Sequence, residues 1–244
     1  MSEPTRKAAE REFFNSAYAS SHEQGLNGFY ERSRGVQRFA EAILRAPSSL
    51  QVLEYGCGTG GHAFQLAERG AFVTGIDISD VAVERARQQA GGSPGLRFEV
   101  ADAEALPFDD GTFDLVCGTS ILHHLDLSKA IQEIRRVLKP GGRGVFYEPV
   151  GYNPAANVYR RFTPELHTED EHPLLRADFD RIRSSFGSVD LHFFDLFSVG
   201  AIPFLRLPGG VALLRFLEAA DRVIFALAPP LRILANVVVI EMTA

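Results

Sequence analysis

The sequence predicts an α/β fold with a doubly wound, mainly parallel sheet, and three observations support this. An aliphatic run at 51–55 leads through the glycines Gly56, Gly58 and Gly60 into an amphipathic helix over 62–69. Further apolar runs then recur with polar or acidic residues at their ends, which is typical of strands meeting at one crevice of a parallel sheet. The last two runs are expected to pair as an antiparallel hairpin. These strands are predicted at 72–77, 96–103, 112–120, 143–148, 189–197 and 235–243.

The alternate glycines indicate a ligand site at the end of the first strand. Glycine lacks Cβ, so its backbone adopts positive φ and a ligand can approach the main chain closely. The following helix offers free N–H groups to an anionic group. Asp77 ends the second strand about 20 residues later, where a doubly wound nucleotide fold places its ribose acceptor. The glycine pattern alone does not separate two kinds of cofactor, because Gly61 also completes a dinucleotide-type spacing.

The order and spacing of five motifs over 52–148 resemble the class I S-adenosylmethionine-dependent methyltransferases that act on small molecules. Asp102-Ala103 and the element Leu138 to Gly142 favour this family over the dehydrogenases. The resemblance implies a Rossmann-like, seven-stranded sheet with an antiparallel last strand, and S-adenosylmethionine as cofactor. It places Glu54 near the cofactor's ammonium end, Asp77 on the ribose hydroxyls and Asp102 on the adenine amino group. Helix or turn capping is the alternative role for the two aspartates.

The candidate cofactor-binding residues combine these motifs with two positions on the leading helices. Tyr30 and Arg34 are included because leading helices close over the cofactor in related enzymes; a packed aromatic and a solvated arginine are the alternative. The full set is Tyr30, Arg34, Glu54, Gly56, Gly58, Gly60, Asp77, Ile78, Asp102, Ala103 and Thr119.

Candidate catalytic and acceptor-side residues lie at the later strand ends. His124, preferred over His123, and Glu148 are candidates for a general base, which is needed only if the acceptor atom carries a proton. Packing is the alternative for the histidines. The loop-rich segment 149–173 supplies candidate substrate contacts at Tyr152, Tyr159, His167 and His172. The spacing of the last two histidines matches no compact zinc pattern, so no metal is expected.

Length and composition indicate one ordinary globular domain over 1–244. Within it, the resemblance implies lid helices at 1–50, a cofactor core at 51–148 and an acceptor-side segment at 149–244. The hydrophobic fraction is 45% and the charged fraction 23%. The net charge of −6 argues against a nucleic-acid partner. The charged first 12 residues lack a signal-peptide core, and no run reaches the ~20 apolar residues of a membrane span, so a cytoplasmic location is expected.

An apolar insertion at 198–234 separates the last two predicted strands. Its helical stripe is expected to face inward, with mixed charges at Arg215, Glu218, Asp221 and Arg222 off the stripe. The predicted stripe comprises Val211, Leu214, Leu217, Ala220, Ile224 and Leu227. We expect the insertion to roof the acceptor pocket. The alternatives are a subunit contact in a homodimer and a lipid surface, and the mixed charges argue against an anionic lipid surface. The predicted function is methylation of a small organic acceptor that is aromatic, lipid-like or a natural product. The alternatives are a non-methylating cyclase or isomerase that binds the same cofactor, or a silent scaffold.

Overall fold

A seven-stranded sheet with helices on both faces forms the centre of the computed structural model, which describes residues 3–19, 33–45, 48–163, 168 and 171–244. The strands are β1 Gln51–Tyr55, β2 Phe72–Asp77, β3 Leu96–Val100, β4 Phe113–Thr119, β5 Leu138–Pro149, β6 Ser188–Phe194 and β7 Val237–Thr243. The helices are α1 Glu3–Ala19, α2 Arg34–Leu44, α3 Gly61–Glu68, α4 Asp80–Ala90, α5 Leu127–Val137, α6 Pro154–Phe162, α7 Arg176–Ser185 and α8 Gly210–Leu227. Short 3₁₀ helices lie at Leu122–His124, Ser198–Phe204 and Pro229–Leu234.

The strand order β3-β2-β1-β4-β5-β7-β6 confirms the predicted doubly wound sheet. Strands β1 to β5 pair in parallel, whereas β7 runs antiparallel to both β5 and β6. The order reverses at β1, whose neighbours are β2 and β4. A crevice opens beside the carboxyl ends of strands at such a reversal. The motif residues at the ends of β1, β2 and β4 therefore meet at one edge.

Apolar side chains on the two faces of the sheet form two cores. One face packs Tyr55 and Phe146 against α5 and α7, and the other packs Phe39 and Leu66 from α2 and α3. Cys57 and Cys117 are buried and form no disulfide, and burial raises the pKa of both thiols.

The sequence prediction was wrong about the loop after β5, because α6 occupies Pro154–Phe162. Asn153 caps this helix by accepting a hydrogen bond from the Ala156 N–H at 3.0 Å. A capping asparagine followed by proline at the first helical position is a local start signal that the sequence already contained.

The expected orientation of the insertion helix α8 was correct for Leu214, which is buried, and wrong for the ends of the stripe and for two of the charged residues. Glu218 and Asp221 are buried, whereas Val211 and Leu227 are exposed. Asp221 accepts hydrogen bonds from the N–H groups of residues 196, 197 and 198 at 2.9 to 3.1 Å. This carboxylate therefore satisfies the backbone where the chain enters the insertion, and it fixes α8 with its carboxylates inward.

The two leading helices occupy different places. Helix α1 crosses the crevice, whereas α2 packs against β5, β6 and β7. No helix in the described parts of the chain is long and apolar enough to cross a bilayer.

Candidate functional site

The turn after β1 brings main-chain groups and a carboxylate together. Gly56, Gly58 and Gly60 have φ values of 62°, 52° and 90°. The Gly58 N–H donates to Oδ2 of Asp77 at 2.8 Å. A Cβ on Gly58 would lie 2.6 Å from the Tyr18 hydroxyl, so glycine is required where α1 approaches the turn. Gly60 serves packing instead, because its Cβ would meet the ring of Phe98 at 2.8 Å.

Asp77 sits at the end of β2, and both of its carboxylate oxygens accept hydrogen bonds from the backbone. Oδ1 accepts from the Ser79 N–H at 2.9 Å, and Oδ2 accepts from Gly58. Burial raises the pKa of Asp77, and the backbone donors oppose that shift. A carboxylate has about four lone-pair sites, so it can still accept a hydroxyl donor from a ligand.

Glu54 lies at the base of the same site and is almost completely buried. Its Oε2 accepts from the Ala63 N–H in the first turn of α3 at 2.9 Å. Burial raises its pKa to about 8, and the backbone bonds only partly counteract this. A cationic ligand beside Glu54 would favour the ionised form.

Asp102 follows β3 and already pairs with the first helix. Its Oδ2 accepts from Nζ of Lys7 at 2.7 Å, and its Oδ1 accepts from the Glu104 N–H at 2.8 Å. The neighbouring Ala103 carbonyl accepts from the hydroxyl of Tyr55 at 2.6 Å.

Helix α1 closes over the crevice through charged contacts that the sequence did not predict. Arg6 forms an ion pair with Glu104 and donates to the carbonyl of His124 at 2.9 Å. Lys7 contacts Glu104 at 3.0 Å as well as Asp102. Helix α1 thus lies over the crevice, and a lid function for it stays a prediction.

A cavity of about 1340 Å³ lies between α1 and the carboxyl edge of the sheet. This volume exceeds that of a typical small-molecule site, so it has room for a cofactor and a small acceptor. Nine of the predicted site residues line it: Glu54, Gly56, Gly58, Asp77, Ile78, Asp102, Ala103, Thr119 and His124.

Two adjacent histidines follow β4; one lines the cavity and the other is buried. His124 lines the cavity, its Nδ1 lies 3.3 Å from Oγ1 of Thr168, and its ring meets Phe14 edge-to-face at 5.3 Å. His123 is buried, with its Nδ1 2.8 Å from Oε2 of Glu148.

Glu148 supports the histidine loop from below. It is fully buried, and its Oε1 accepts from the N–H groups of Ile121 at 3.0 Å and Leu122 at 2.9 Å. The sequence suggested that it points towards an acceptor, but the structure places it beneath the loop and outside the lining of the cavity. Through these two hydrogen bonds, Glu148 holds the backbone of residues 121 and 122, which precede His124.

His123, His124 and Glu171 form a group whose ligand atoms all lie within 4.8 Å of one another. Two imidazoles and a carboxylate are a donor set that zinc or iron accepts. From the sequence alone, a different pair, His167 and His172, was considered for metal binding. Both Nδ1 atoms of this group already face protein partners, so a metal would use the remaining ring nitrogens.

Several residues that the sequence predicted to contact the cofactor or the acceptor lie outside the lining of the large cavity or outside the described residues. Arg34 begins α2, outside the cavity lining, and its N–H donates to Glu218 at 3.1 Å. Tyr152 and Tyr159 are exposed on or beside α6. His172 lines a smaller cavity of about 300 Å³ next to His124. Tyr30 and His167 fall outside the described residues.

Comparison with known proteins shows what the sequence around this site resembles. Residues 53–146 match the family model of a methyltransferase domain. The chain is 40% identical over 119 residues to demethylmenaquinone methyltransferase of Deinococcus radiodurans, covering 47% of this chain and 49% of the relative. It is 33% identical over 144 residues to sterol 4-C-methyltransferase strm-1 of Caenorhabditis elegans, covering 52% and 43%. The chain therefore spans about half the length of these curated relatives.

Solved structures show the same fold. Phosphoethanolamine N-methyltransferase 2 of Haemonchus contortus, in complex with S-adenosyl-L-methionine, aligns with a TM-score of 0.64 at 18% identity, over 94% of this chain and 59% of the other. The [4+2]-cyclase SpnF aligns with a TM-score of 0.60 at 22% identity, over 85% and 80%. Residues 53–146 thus match a methyltransferase domain, and the chain as a whole shares the fold of these solved structures.

Proposed function

We propose that this chain transfers the methyl group of S-adenosylmethionine to a small organic acceptor inside the large cavity. One observation carries the proposal. The carboxylates of Glu54, Asp77 and Asp102 and the imidazole of His124 line a single cavity beneath α1. The three carboxylates suit a cationic ligand that donates hydrogen bonds from hydroxyl and amino groups. The part of the cavity beside His124 is then available to the acceptor.

The residues present fit the cofactor. Asp77 retains a lone pair for a ligand hydroxyl, and Asp102 shares its carboxylate with Lys7. Gly56 and Gly58 line the same cavity, so the turn after β1 and the Asp77 carboxylate face one ligand space. When bound, S-adenosylmethionine supplies an electrophilic methyl group on a sulfonium, and the protein's main task is alignment of the acceptor with it.

His124 is our candidate for the general base when the acceptor atom carries a proton. Arg6 and Phe14 of α1 hold it at the cavity, and Thr168 contacts its Nδ1. We assign Glu148 a positioning role, because it fixes the backbone of the loop and contacts His123 rather than the cavity.

Two observations indicate the chemical class of the acceptor: the apolar side chains that line the cavity and the substrates named for similar proteins. Phe13, Phe14 and Leu125 contribute apolar surface near His124. The names of the two relatives specify a sterol and a demethylmenaquinone, which are apolar ring compounds, and the first specifies carbon methylation. These observations favour an apolar ring compound as the acceptor. The cytoplasmic location and the homodimer stay predictions.

The first experiment identifies the reaction by mass spectrometry. The protein is incubated with S-adenosylmethionine and a panel containing a demethylated naphthoquinol, a sterol and a simple phenol. Methyl transfer yields a product heavier by one methylene together with S-adenosylhomocysteine. A product of unchanged mass with no S-adenosylhomocysteine would establish the cyclase or isomerase alternative, and binding of S-adenosylhomocysteine without any product would favour the scaffold.

The second experiment tests the base. For a hydroxyl acceptor, His124→Gln should lower kcat on the order of a hundredfold, with little change in S-adenosylhomocysteine affinity by calorimetry. His192→Gln on β6 is the matched control, because His192 lies outside the cavity lining and pairs with Glu241. Full turnover by a folded His124→Gln protein would remove His124 from the reaction.

A further inference from the structure

Helix α8 of the insertion presents a second apolar face to solvent, opposite the one that it buries. Its buried residues recur at helical spacing: Gly210, Leu214, Glu218, Asp221 and Phe225. On the other side Phe216 is 69% exposed, Val223 56% and Leu227 82%. At 100° per residue these three side chains lie within about 40° of one another, and small alanines fill the turns between them. The outward stripe from Phe216 to Leu227 is therefore apolar over about three turns.

The charges on this segment do not balance at the surface. The insertion has two acidic residues, Glu218 and Asp221, and both are buried in hydrogen bonds with backbone N–H groups. The exposed charged residues in 198–234 are Arg206, Arg215, Arg222 and Arg232; Arg215 pairs with Glu218 at 3.0 Å, which leaves Arg206, Arg222 and Arg232 to set the charge of this surface. The sequence suggested mixed charge, but burial of the carboxylates leaves a positive surface on a chain whose net charge is −6.

Helix α6 repeats this composition beside the insertion. Val158 and Phe162, one turn apart, are exposed, and so is Arg161. The helix contains no acidic residue. Asn153, which caps α6, donates through Nδ2 to the carbonyl of Leu234 at 3.0 Å, and this bond ties the helix to the end of the insertion.

Both elements lie at the edge of the sheet that carries the cavity. Pro149 at the carboxyl end of β5 pairs with Val237, the first residue of β7. Strand β6 ends at Phe194, which pairs with the same Val237. The insertion between β6 and β7 therefore starts and ends at this edge of the sheet. Helix α6 follows β5 from there as well.

We propose that this docking face, formed by Phe162, Phe216, Val223 and Leu227 with Arg206 and Arg222, binds the surface of an anionic lipid bilayer. An amphipathic helix with an apolar face and cationic residues lies in the headgroup plane of such a membrane, and anionic headgroups complement the arginines. A second copy is a poorer occupant, because its own insertion would offer these arginines no exposed acid. The inference depends on the insertion and α6, independently of the reaction in the cavity.

Vesicle co-sedimentation tests the proposal with the intact chain and no turnover. Binding should be strong to vesicles in which about a third of the lipid is phosphatidylglycerol and the rest phosphatidylcholine, weak to phosphatidylcholine alone, and weakened by salt. The double variant Arg206→Gln/Arg222→Gln should reduce partitioning about thirtyfold, at roughly fivefold per arginine. The double variant Phe216→Ser/Leu227→Ser should reduce it at least tenfold.

The matched control is Phe72→Ser/Arg45→Gln, which removes an exposed phenylalanine and an exposed arginine from the opposite edge of the sheet. It should bind vesicles as the unchanged protein does. Equal binding to neutral and anionic vesicles, or no binding to either, overturns the proposal. Light scattering provides the other decisive outcome: a dimer that Phe216→Ser/Leu227→Ser dissociates, with vesicle binding unaffected, would assign the face to a second copy. Because a failed vesicle assay leaves S-adenosylhomocysteine binding and methyl transfer untouched, it would not count against the function proposed above.

Discussion

Asp195, at the junction of β6 and the insertion, provides a quantitative test of the buried carboxylates. It is 2% exposed, with φ of 63°, and its Oδ1 accepts from the Ser198 hydroxyl at 2.9 Å. Burial raises its pKa from 3.8 to about 7, the nearby carboxylates of Glu218 and Asp221 add to that rise, and hydroxyl donors oppose it. Asp195→Asn removes the ionisation and keeps the shape. Asparagine also tolerates the left-handed backbone conformation well.

The magnitude follows from linkage between ionisation and folding. Below about pH 4 the carboxyl group is protonated in both the folded and the unfolded states, so it adds no pH dependence. As the pH rises, the unfolded state ionises first, and the folded state loses stability until the pH passes the folded pKa of about 7. At about 1.4 kcal/mol per tenfold change in the ionisation equilibrium, the full loss is about 4 kcal/mol. Structural relaxation lowers this figure, so we expect about 2 to 4 kcal/mol.

Urea unfolding at several pH values measures this effect. The free energy of unfolding of Asp195→Asn should exceed that of the unchanged protein by an amount that grows from pH 5 to pH 8 and then levels off. Asp190→Asn, at an exposed position on β6, is the control and should follow the unchanged protein. A difference that is equal at pH 5 and pH 8, or a variant that is less stable at both, would refute the reasoning.

Two further predictions concern the cofactor half of the cavity. Asp77→Asn should weaken S-adenosylhomocysteine binding at least tenfold in calorimetry, about 1.4 kcal/mol or more, whereas the exposed Asp109→Asn should not; equal affinities would remove Asp77 from the ribose site. Gly58→Ala should lower the melting temperature because its Cβ would lie 2.6 Å from the Tyr18 hydroxyl. Adding Tyr18→Phe should recover part of that loss, leaving about 1 to 2 kcal/mol from the positive φ; no recovery would mean that the clash is unimportant.

The sequence predicted the sheet and the cofactor motifs because their signals are local. Each strand ends in its own motif, and the doubly wound fold brings those ends to one edge. The positions of Asp77 and Asp102 at this edge, where both line the cavity, could therefore be predicted from the sequence. Lys7 was missed because nothing near it in sequence shows that α1 crosses the crevice, and its partner Asp102 lies 95 residues away.

The other errors have equally specific causes. The helical period of α8 was detected, but hydrophobicity alone did not show that its carboxylates face inward, because Asp221 is buried by its bonds to the N–H groups of residues 196 to 198. His124 was favoured over His123 from position. The pairing of His123 with Glu148 could not be found, since it joins residues 25 apart through the end of β5.

The carboxyl end of β5 explains why the acceptor side differs from the shared core. Glu148 holds the histidine loop, and Pro149 pairs with the first residue of β7. The N–H of the next residue, Val150, donates to the carbonyl of Asn236 at 2.8 Å, directly after the insertion. The matched methyltransferase domain ends at residue 146, just before these contacts. An insertion between β6 and β7 therefore changes the surface beside the cavity and leaves the glycine turn and its carboxylates intact, so the proposed cofactor site and the docking face can be altered separately.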